Sequence, residues 1–186
     1  YIVISDEIKE SSKKLIDLLA QNDIKKTIML TGDKASIGEK IADKLGLSEV
    51  YAELLPGDKV DKLEKIIENN QDNSTVVYVG DVINDAPVLA RADIGISMGR
   101  IASDVAIEAS DIVLMDDNLM KIVDAIKISR VSMKVVRQNI VFALGIKFIV
   151  LVLGVLGLAN MWFAIFADVG VLIIAILNAI FGIRYK

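Results

Sequence analysis

The first 118 residues alternate between short apolar runs and longer segments in which apolar residues recur every three or four positions. The short runs are typical of buried strands, and the longer period is typical of amphipathic helices. The pattern predicts strands or extended segments over residues 1–4, 27–30, 50–52, 76–79, 93–96 and 111–114. It predicts helices over residues 7–21, 35–45, from a Pro56-Gly57 turn to about 70, 87–92 and 103–110. Strands that alternate with helices predict an α/β fold with a doubly wound parallel sheet.

The pattern changes near residue 119, where a helical segment of mixed charge runs to residue 139. Residues 140–183 then form two apolar runs, separated by a short break at Ala159-Asn160. Each run is about 20 residues, or roughly 30 Å as a helix, which is enough to cross a bilayer. We therefore expect an α/β domain over 1–118, a connecting helix over 119–139, and an all-α transmembrane hairpin over 140–183.

The flanking charges predict an orientation for this hairpin. Lys134 and Arg137 precede it, Arg184 and Lys186 follow it, and the break between its helices carries no charge. Because positive residues favour the cytoplasmic side, we expect both ends of the hairpin and the α/β domain in the cytoplasm of a multi-pass membrane protein.

Composition excludes several kinds of chemistry. The chain is 54% hydrophobic with a formal net charge of −4, and it has no basic stripe, so we expect no nucleic-acid partner. It has neither cysteine nor histidine, so no thiolate or imidazole can act within it. Because it opens in a predicted strand and without Met, we expect it to be part of a longer polypeptide.

The strand predicted at 76–79 ends in an unusually polar turn, with Asp81, Asn84 and Asp85 close behind Gly80. Ligands of open α/β sheets bind beyond the carboxyl ends of the strands, where this turn and Thr31-Gly32-Asp33 would both lie. Taken alone, Asp85 fits equally well as a helix N-terminal charge. At the strand end, Asp81 suits Mg²⁺, which prefers oxygen ligands.

Four stretches together resemble the P-type cation-transporting ATPases: TGD at 31–33, LLPGDKV at 54–60, GDVINDAPVLARADIGISMG at 80–99, and SDVAIEASDIVL at 103–114. The resemblance implies a haloacid-dehalogenase-like Rossmannoid fold. It also implies that ATP and Mg²⁺ are used, and that the remaining domains of the same polypeptide are partners.

The resemblance assigns roles to the site residues. It implies that Asp81 is a Mg²⁺ ligand and that Asn84 and Asp85 complete the same corner. It implies that Thr31 and Gly32 hold an aspartyl phosphate, that Lys59 neutralises it, and that Asp33 orients the hinge side.

The chain departs from the family pattern in several places. Val82 and Lys34 stand where the family usually has Gly and Asn. The Asp-Lys-Thr-Gly-Thr motif, whose first Asp is phosphorylated, is absent from this sequence. We therefore expect no ATP hydrolysis by these 186 residues alone.

Two ionisable residues, Lys147 and Asp168, interrupt the apolar runs. At the helical rise they would lie roughly 19 Å and 12 Å from the break, a difference that a lysine side chain can close. Charges at such depth are costly unless paired, so we expect an ion pair, although Lys147 could instead reach the interface.

The stretches LGIKF and FADVG, with LNA after them, are similar to the heavy-metal subfamily that exports Zn²⁺, Cd²⁺ and Pb²⁺. That similarity implies that Asp168 and Lys147 belong to the site of the transported ion.

Three functions stay open at this point. The first is ATP-driven export of Zn²⁺, Cd²⁺ or Pb²⁺, or of another cation, through an aspartyl phosphate. The second is a membrane-anchored phosphatase of the haloacid-dehalogenase type, and the third is a regulatory fragment without enzymatic activity. A simple membrane tether needs no buried charge, so Lys147 and Asp168 favour the first.

Overall fold

The computed structural model describes residues 8–70, 74–98, 108–116 and 118–184, with only the backbone at 82–84 and 183–184. The chain divides into two compact units, Tyr1–Val123 and Asp124–Lys186. The division predicted at residues 118 and 139 stays a prediction. The strand predicted at 1–4 and most of the helix predicted at 103–110 lie outside the described residues.

The first unit alternates strands and helices in the predicted order. Its strands are β1 (Ile28–Leu30), β2 (Glu49–Tyr51), β3 (Val77–Asp81), β4 (Ile94–Met98) and β5 (Ile112–Leu114). Its helices are α1 (Glu10–Gln21), α2 (Ala35–Leu45), α3 (Pro56–Glu68) and α4 (Val82–Arg91).

All observed strand pairs are parallel, as the alternation predicted. β1 pairs with β2 in one sheet, and β4 lies between β3 and β5 in a second. The parallel α/β fold class is thereby confirmed. α3 packs against α4, and α4 packs against β3 and β4. The buried side chains of these elements and of β5 include Leu63, Val88, Leu89, Ile96 and Leu114.

Two helix starts differ from the predictions. The predicted Pro56-Gly57 turn is the first turn of α3, because proline fits the first helical position. The Asp58 carboxylate there accepts a hydrogen bond from the backbone N–H of Leu55 at 2.9 Å. α4 begins at Val82 and not at Pro87, which lies inside the helix. Pro87 is the sixth of ten residues in α4, where proline removes one hydrogen bond of the helix, yet the helix continues to Arg91.

The second unit is helical. After α5 (Met120–Val155), which begins within the first unit, the chain turns through residues 156–160, and the predicted break is confirmed. The Asn160 side chain caps the next helix by accepting from the backbone N–H groups of Trp162 and Phe163. That helix is α6 (Met161–Ile165), a π-helical turn (Phe166–Gly170) and α7 (Val171–Arg184).

Both helical segments are long and apolar enough to cross a membrane: Met120–Val155 has 36 residues and Met161–Gly182 has 22. Polar contacts join them, since Asn178 Nδ2 donates to Asn139 Oδ1 at 2.8 Å and Asn139 Nδ2 donates to the Ala175 carbonyl at 3.0 Å. Most of their apolar side chains are exposed, as expected for residues that face lipid or further helices.

Gly46 ends α2 in the left-handed conformation, with φ of +75°, and no atom would contact a Cβ there. Replacing Gly46 by alanine should lower the free energy of unfolding by about 1 kcal/mol, because only the backbone conformation is penalised. Gly57→Ala is the matched control, since Gly57 is helical and its Cβ position is also open. Chemical denaturation of the detergent-solubilised chain measures the free energy of unfolding of wild type and both variants. An equal free energy for Gly46→Ala and wild type would contradict this account.

Candidate functional site

An ion pair lies where α3 and α4 meet, next to the carboxyl end of β3. Lys59 Nζ donates to Asp85 Oδ1 at 2.7 Å, and the two side chains are only 16% and 11% exposed. Lys59 lies in the first turn of α3, and Asp85 lies in the first turn of α4. The structure thus brings together two residues that are 26 positions apart in the sequence.

Tyr78 is the third member of this group, and sequence reasoning missed it. A Cβ built on Gly80 would lie 2.7 Å from the Tyr78 ring and 2.9 Å from Asp85 Oδ2, so both side chains crowd the open face of this glycine. Burial raises the pKa of the Tyr78 phenol well above its usual range, and the negative charge and hydrogen bond of Asp85 add to the effect. The phenol is therefore held protonated beside the carboxylate.

The loop after β1 is organised by its own side chains. Thr31 Oγ1 donates to Asp33 Oδ2 at 2.9 Å and accepts from the Asp33 backbone N–H at 3.1 Å. The chain that follows β2 is tied to this loop, because the Leu54 N–H donates to the Thr31 carbonyl and a Cβ on Gly32 would meet the Leu54 carbonyl at 3.3 Å. Within the described residues, no hydrogen bond or ion pair joins Thr31, Gly32 or Asp33 directly to Lys59 or Asp85.

Asp81 ends β3, and its exposed side chain lies on the opposite face of the strand from Tyr78 and Gly80. No group of three acidic residues that could hold a metal ion is found among the described residues. Mg²⁺ in phosphoryl-transfer sites takes one or two carboxylates and completes its shell with water and substrate phosphate, so an exposed strand-end carboxylate fits it. Asp85 is already engaged by Lys59, and the side chain of Asn84 lies outside the description.

A second ion pair lies in the helical unit. Lys147 Nζ is 3.0 Å from Asp168 Oδ1, so the contact expected from the sequence is present. The side chains are 57% and 75% exposed within this chain, so the pair faces the surroundings of the two helices. Asp168 lies in the π-helical turn, where the backbone N–H of Val171 donates to the Phe166 carbonyl. No sequence pattern predicted this turn.

One available signal would have indicated Tyr78. Side chains alternate along a strand, so Tyr78 shares a face with Gly80, two residues on. The strand face that Tyr78 shares with Gly80 ends at an acidic turn. A side chain from that turn that packs over Gly80 will therefore lie close to Tyr78.

The tyrosine titration is directly measurable. Tyr78 has a folded pKa above its unfolded value of about 10, so its stabilising contribution is complete below that pH and is lost as the pH rises through the folded pKa. In an alkaline absorbance titration, Tyr78→Phe should remove one late-titrating phenol and leave the earlier ones unchanged. Loss of a phenol that titrates at the ordinary pH would show that Tyr78 is not buried in the folded chain.

Comparison with known proteins agrees with this geometry. The family model described as "Hydrolase: haloacid dehalogenase-like hydrolase" matches residues 1–93. The chain is 50% identical over 185 residues to a cadmium, zinc and cobalt-transporting ATPase of Bacillus subtilis, covering 100% of this chain and 26% of that protein. It is 49% identical over 179 residues to a zinc-transporting ATPase of Synechocystis sp., covering 96% of this chain and 25% of that protein.

A solved structure matches both units. The crystal structure of a zinc-transporting PIB-type ATPase in the E2.Pi state aligns with a TM-score of 0.86 at 38% identity, over 97% of this chain and 29% of that one. The chain thus spans about a quarter of the length of the curated relatives it matches. The resemblance to heavy-metal P-type ATPases is confirmed. Since the family model covers half of its residues, the chain belongs to the haloacid dehalogenase-like hydrolase family.

Proposed function

We propose that the full-length protein is an ATP-driven exporter of divalent heavy-metal cations, with Zn²⁺, Cd²⁺ and Pb²⁺ as its substrates. The observation that carries this proposal is the Lys147–Asp168 ion pair on two membrane-length helices, in a chain similar throughout its length to zinc and cadmium transporters. An ionised pair is costly in hydrocarbon and a tether does not need one, which counts against a membrane-anchored phosphatase.

In the first unit, Lys59 is proposed to neutralise charge on an aspartyl phosphate formed elsewhere in the full-length protein. Its ammonium is already held at the carboxyl end of β3 by Asp85. A largely buried cation that is fixed before the reaction stabilises developing phosphoryl charge without reorganisation. Asp85 then serves to position Lys59, and Tyr78 lies near Asp85 on the face of Gly80.

Asp81 is proposed to hold Mg²⁺, with Asn84 and Asp85 in the same corner. Mg²⁺, when bound, would supply positive charge to phosphate oxygens. Thr31 and Gly32 are proposed to bind the phosphoryl group through the hydroxyl and the backbone N–H. In this structure the Thr31 hydroxyl donates its one hydrogen to Asp33 Oδ2, and it would exchange that partner for a phosphoryl oxygen on binding. ATP would be bound together with the remaining domains of the polypeptide.

In the second unit, Asp168 is proposed to be an oxygen ligand of the transported cation, and Lys147 its internal counter-charge. Lys147 neutralises the carboxylate when no metal is bound, and the metal displaces the ammonium when it arrives. The flanking positive residues support an orientation with the first unit and both ends of the hairpin in the cytoplasm.

Asp81→Asn in the full-length protein should reduce Mg²⁺-dependent phosphorylation at least about a hundredfold, because the neutral amide no longer neutralises the cation's charge. Phosphate incorporation from radiolabelled ATP into membrane-inserted protein measures this effect. Asp43→Asn on the exposed side of α2 is the control and should phosphorylate like wild type. Phosphorylation of Asp81→Asn at the wild-type level would exclude the assignment.

Substitutions of the two charged membrane residues should distinguish binding of Zn²⁺ from its release. Asp168→Ala should abolish Zn²⁺ stimulation of the ATPase, because an oxygen ligand is lost. Lys147→Ala should still bind Zn²⁺ but turn over more slowly, because no ammonium replaces the metal at the carboxylate. Zn²⁺ binding and transport by full-length protein in liposomes distinguish the two steps. Wild-type binding and transport by Asp168→Ala would mean that the carboxylate is structural.

A further inference from the structure

Asp168 lies at the centre of the π-helical turn Phe166–Gly170, which interrupts an otherwise regular helical segment. A π turn adds one residue to a helical turn and so changes the direction in which the following side chains point. In this turn the neighbours Ala167 and Val171 are buried, while the Asp168 carboxylate is exposed and reaches Lys147 Nζ at 3.0 Å.

Gly170 has no room for a side chain in this turn. A Cβ at this position would lie 2.8 Å from Phe166 Cδ2 and 3.0 Å from Phe166 Cε2. Real Cβ atoms do not approach ring carbons so closely, so the Phe166 ring occupies the space that a side chain at 170 would need. The φ angle of Gly170 is not positive, so the constraint is the ring and not the backbone conformation.

We infer that Gly170 is a positioning residue for the Lys147–Asp168 pair: its lack of a side chain leaves room for the Phe166 ring in the π turn that directs the Asp168 carboxylate toward Lys147. This inference rests on the proposed function only for its consequence in transport. The packing itself concerns the geometry of the ion pair.

The inference predicts that the side chains at 166 and 170 compensate each other. Gly170→Ala should place a methyl group in the space of the ring and so disrupt the π turn, and Asp168 should then turn away from Lys147. Phe166→Ala/Gly170→Ala should restore the pair, because the added methyl group enters the space that the ring has left. Gly154→Ala is the matched control, since it lies in α5 and nothing lies within 4 Å of its Cβ position.

Zero-length carbodiimide cross-linking measures the pair without requiring transport. In full-length protein in liposomes, a Lys147–Asp168 amide should be detected by mass spectrometry in wild type and in Gly154→Ala. The cross-link should be lost in Gly170→Ala and should return in the double variant. Wild-type cross-linking in Gly170→Ala, or failure of Phe166→Ala to restore it, would overturn the inference.

Zn²⁺-stimulated ATPase activity then separates this inference from the proposed function. If both hold, Gly170→Ala should lower the response to Zn²⁺ and Gly154→Ala should respond like wild type, because only the first change moves the Asp168 carboxylate. A lowered response in Gly170→Ala with a wild-type cross-link would mean that Gly170 acts elsewhere and would overturn the inference. A wild-type Zn²⁺ response in Asp168→Ala, with the cross-linking pattern as expected, would instead refute the proposed function and leave the positioning role supported.

Discussion

The ion pair between Lys59 and Asp85 connects the parts of the first unit that form its site. β1–β2 and β3–β4–β5 are separate sheets in the described residues, and α3 is one link between them, since its Lys62 lies over the Tyr51 ring of β2 and the helix packs against α4. Leu63, Val88 and Leu89 supply the apolar part of that packing, and the ion pair closes it at the carboxyl end of β3. Removing one partner from a buried pair typically costs about 3–5 kcal/mol, because the remaining charge has no compensation. The position of the Lys59 ammonium is therefore a condition of the fold as well as of the proposed chemistry.

The second unit also contains an ion pair that needs both of its partners, but its surroundings are a membrane and not water. Lys147 and Asp168 are exposed within this chain, but in a membrane their surroundings are lipid or further helices, where an unpaired charge is expensive. The first pair is supported by Tyr78 and by two packed helices. The second depends on a π-helical turn for the direction of Asp168. Asn139 and Asn178 add hydrogen bonds between the two helical segments, which restrict how far these can slide past each other.

Local signals explain which features the sequence predicts. The bounds of α2 and its end at Gly46 agree with prediction, because amphipathic spacing and a terminal glycine act within one or two turns. The Lys147–Asp168 contact was predictable because charges within apolar runs are rare and need a partner. The predicted start of α4 was wrong because proline is common at the first position of a helix, which favoured Pro87. The helix already begins after Asp81. Tyr78 fits an ordinary buried strand, and only the strand face that it shares with Gly80 indicated a place in the site. A π turn in an almost wholly apolar helix leaves no periodic signature, so the sequence could not predict it.

In both pairs the cation is lysine, and this choice fits an exchange of partners. Arginine binds a carboxylate through a planar fork with two parallel hydrogen bonds, which favours a permanent contact, whereas the lysine ammonium is a compact charge on a flexible chain. Lys59 and Lys147 each contact a single carboxylate oxygen, at 2.7 Å and 3.0 Å. In the proposed cycle, Lys59 must also serve a phosphoryl group and Lys147 must yield its carboxylate to a metal ion. A guanidinium at either position would hold its partner more firmly and would oppose the step in which that partner is exchanged.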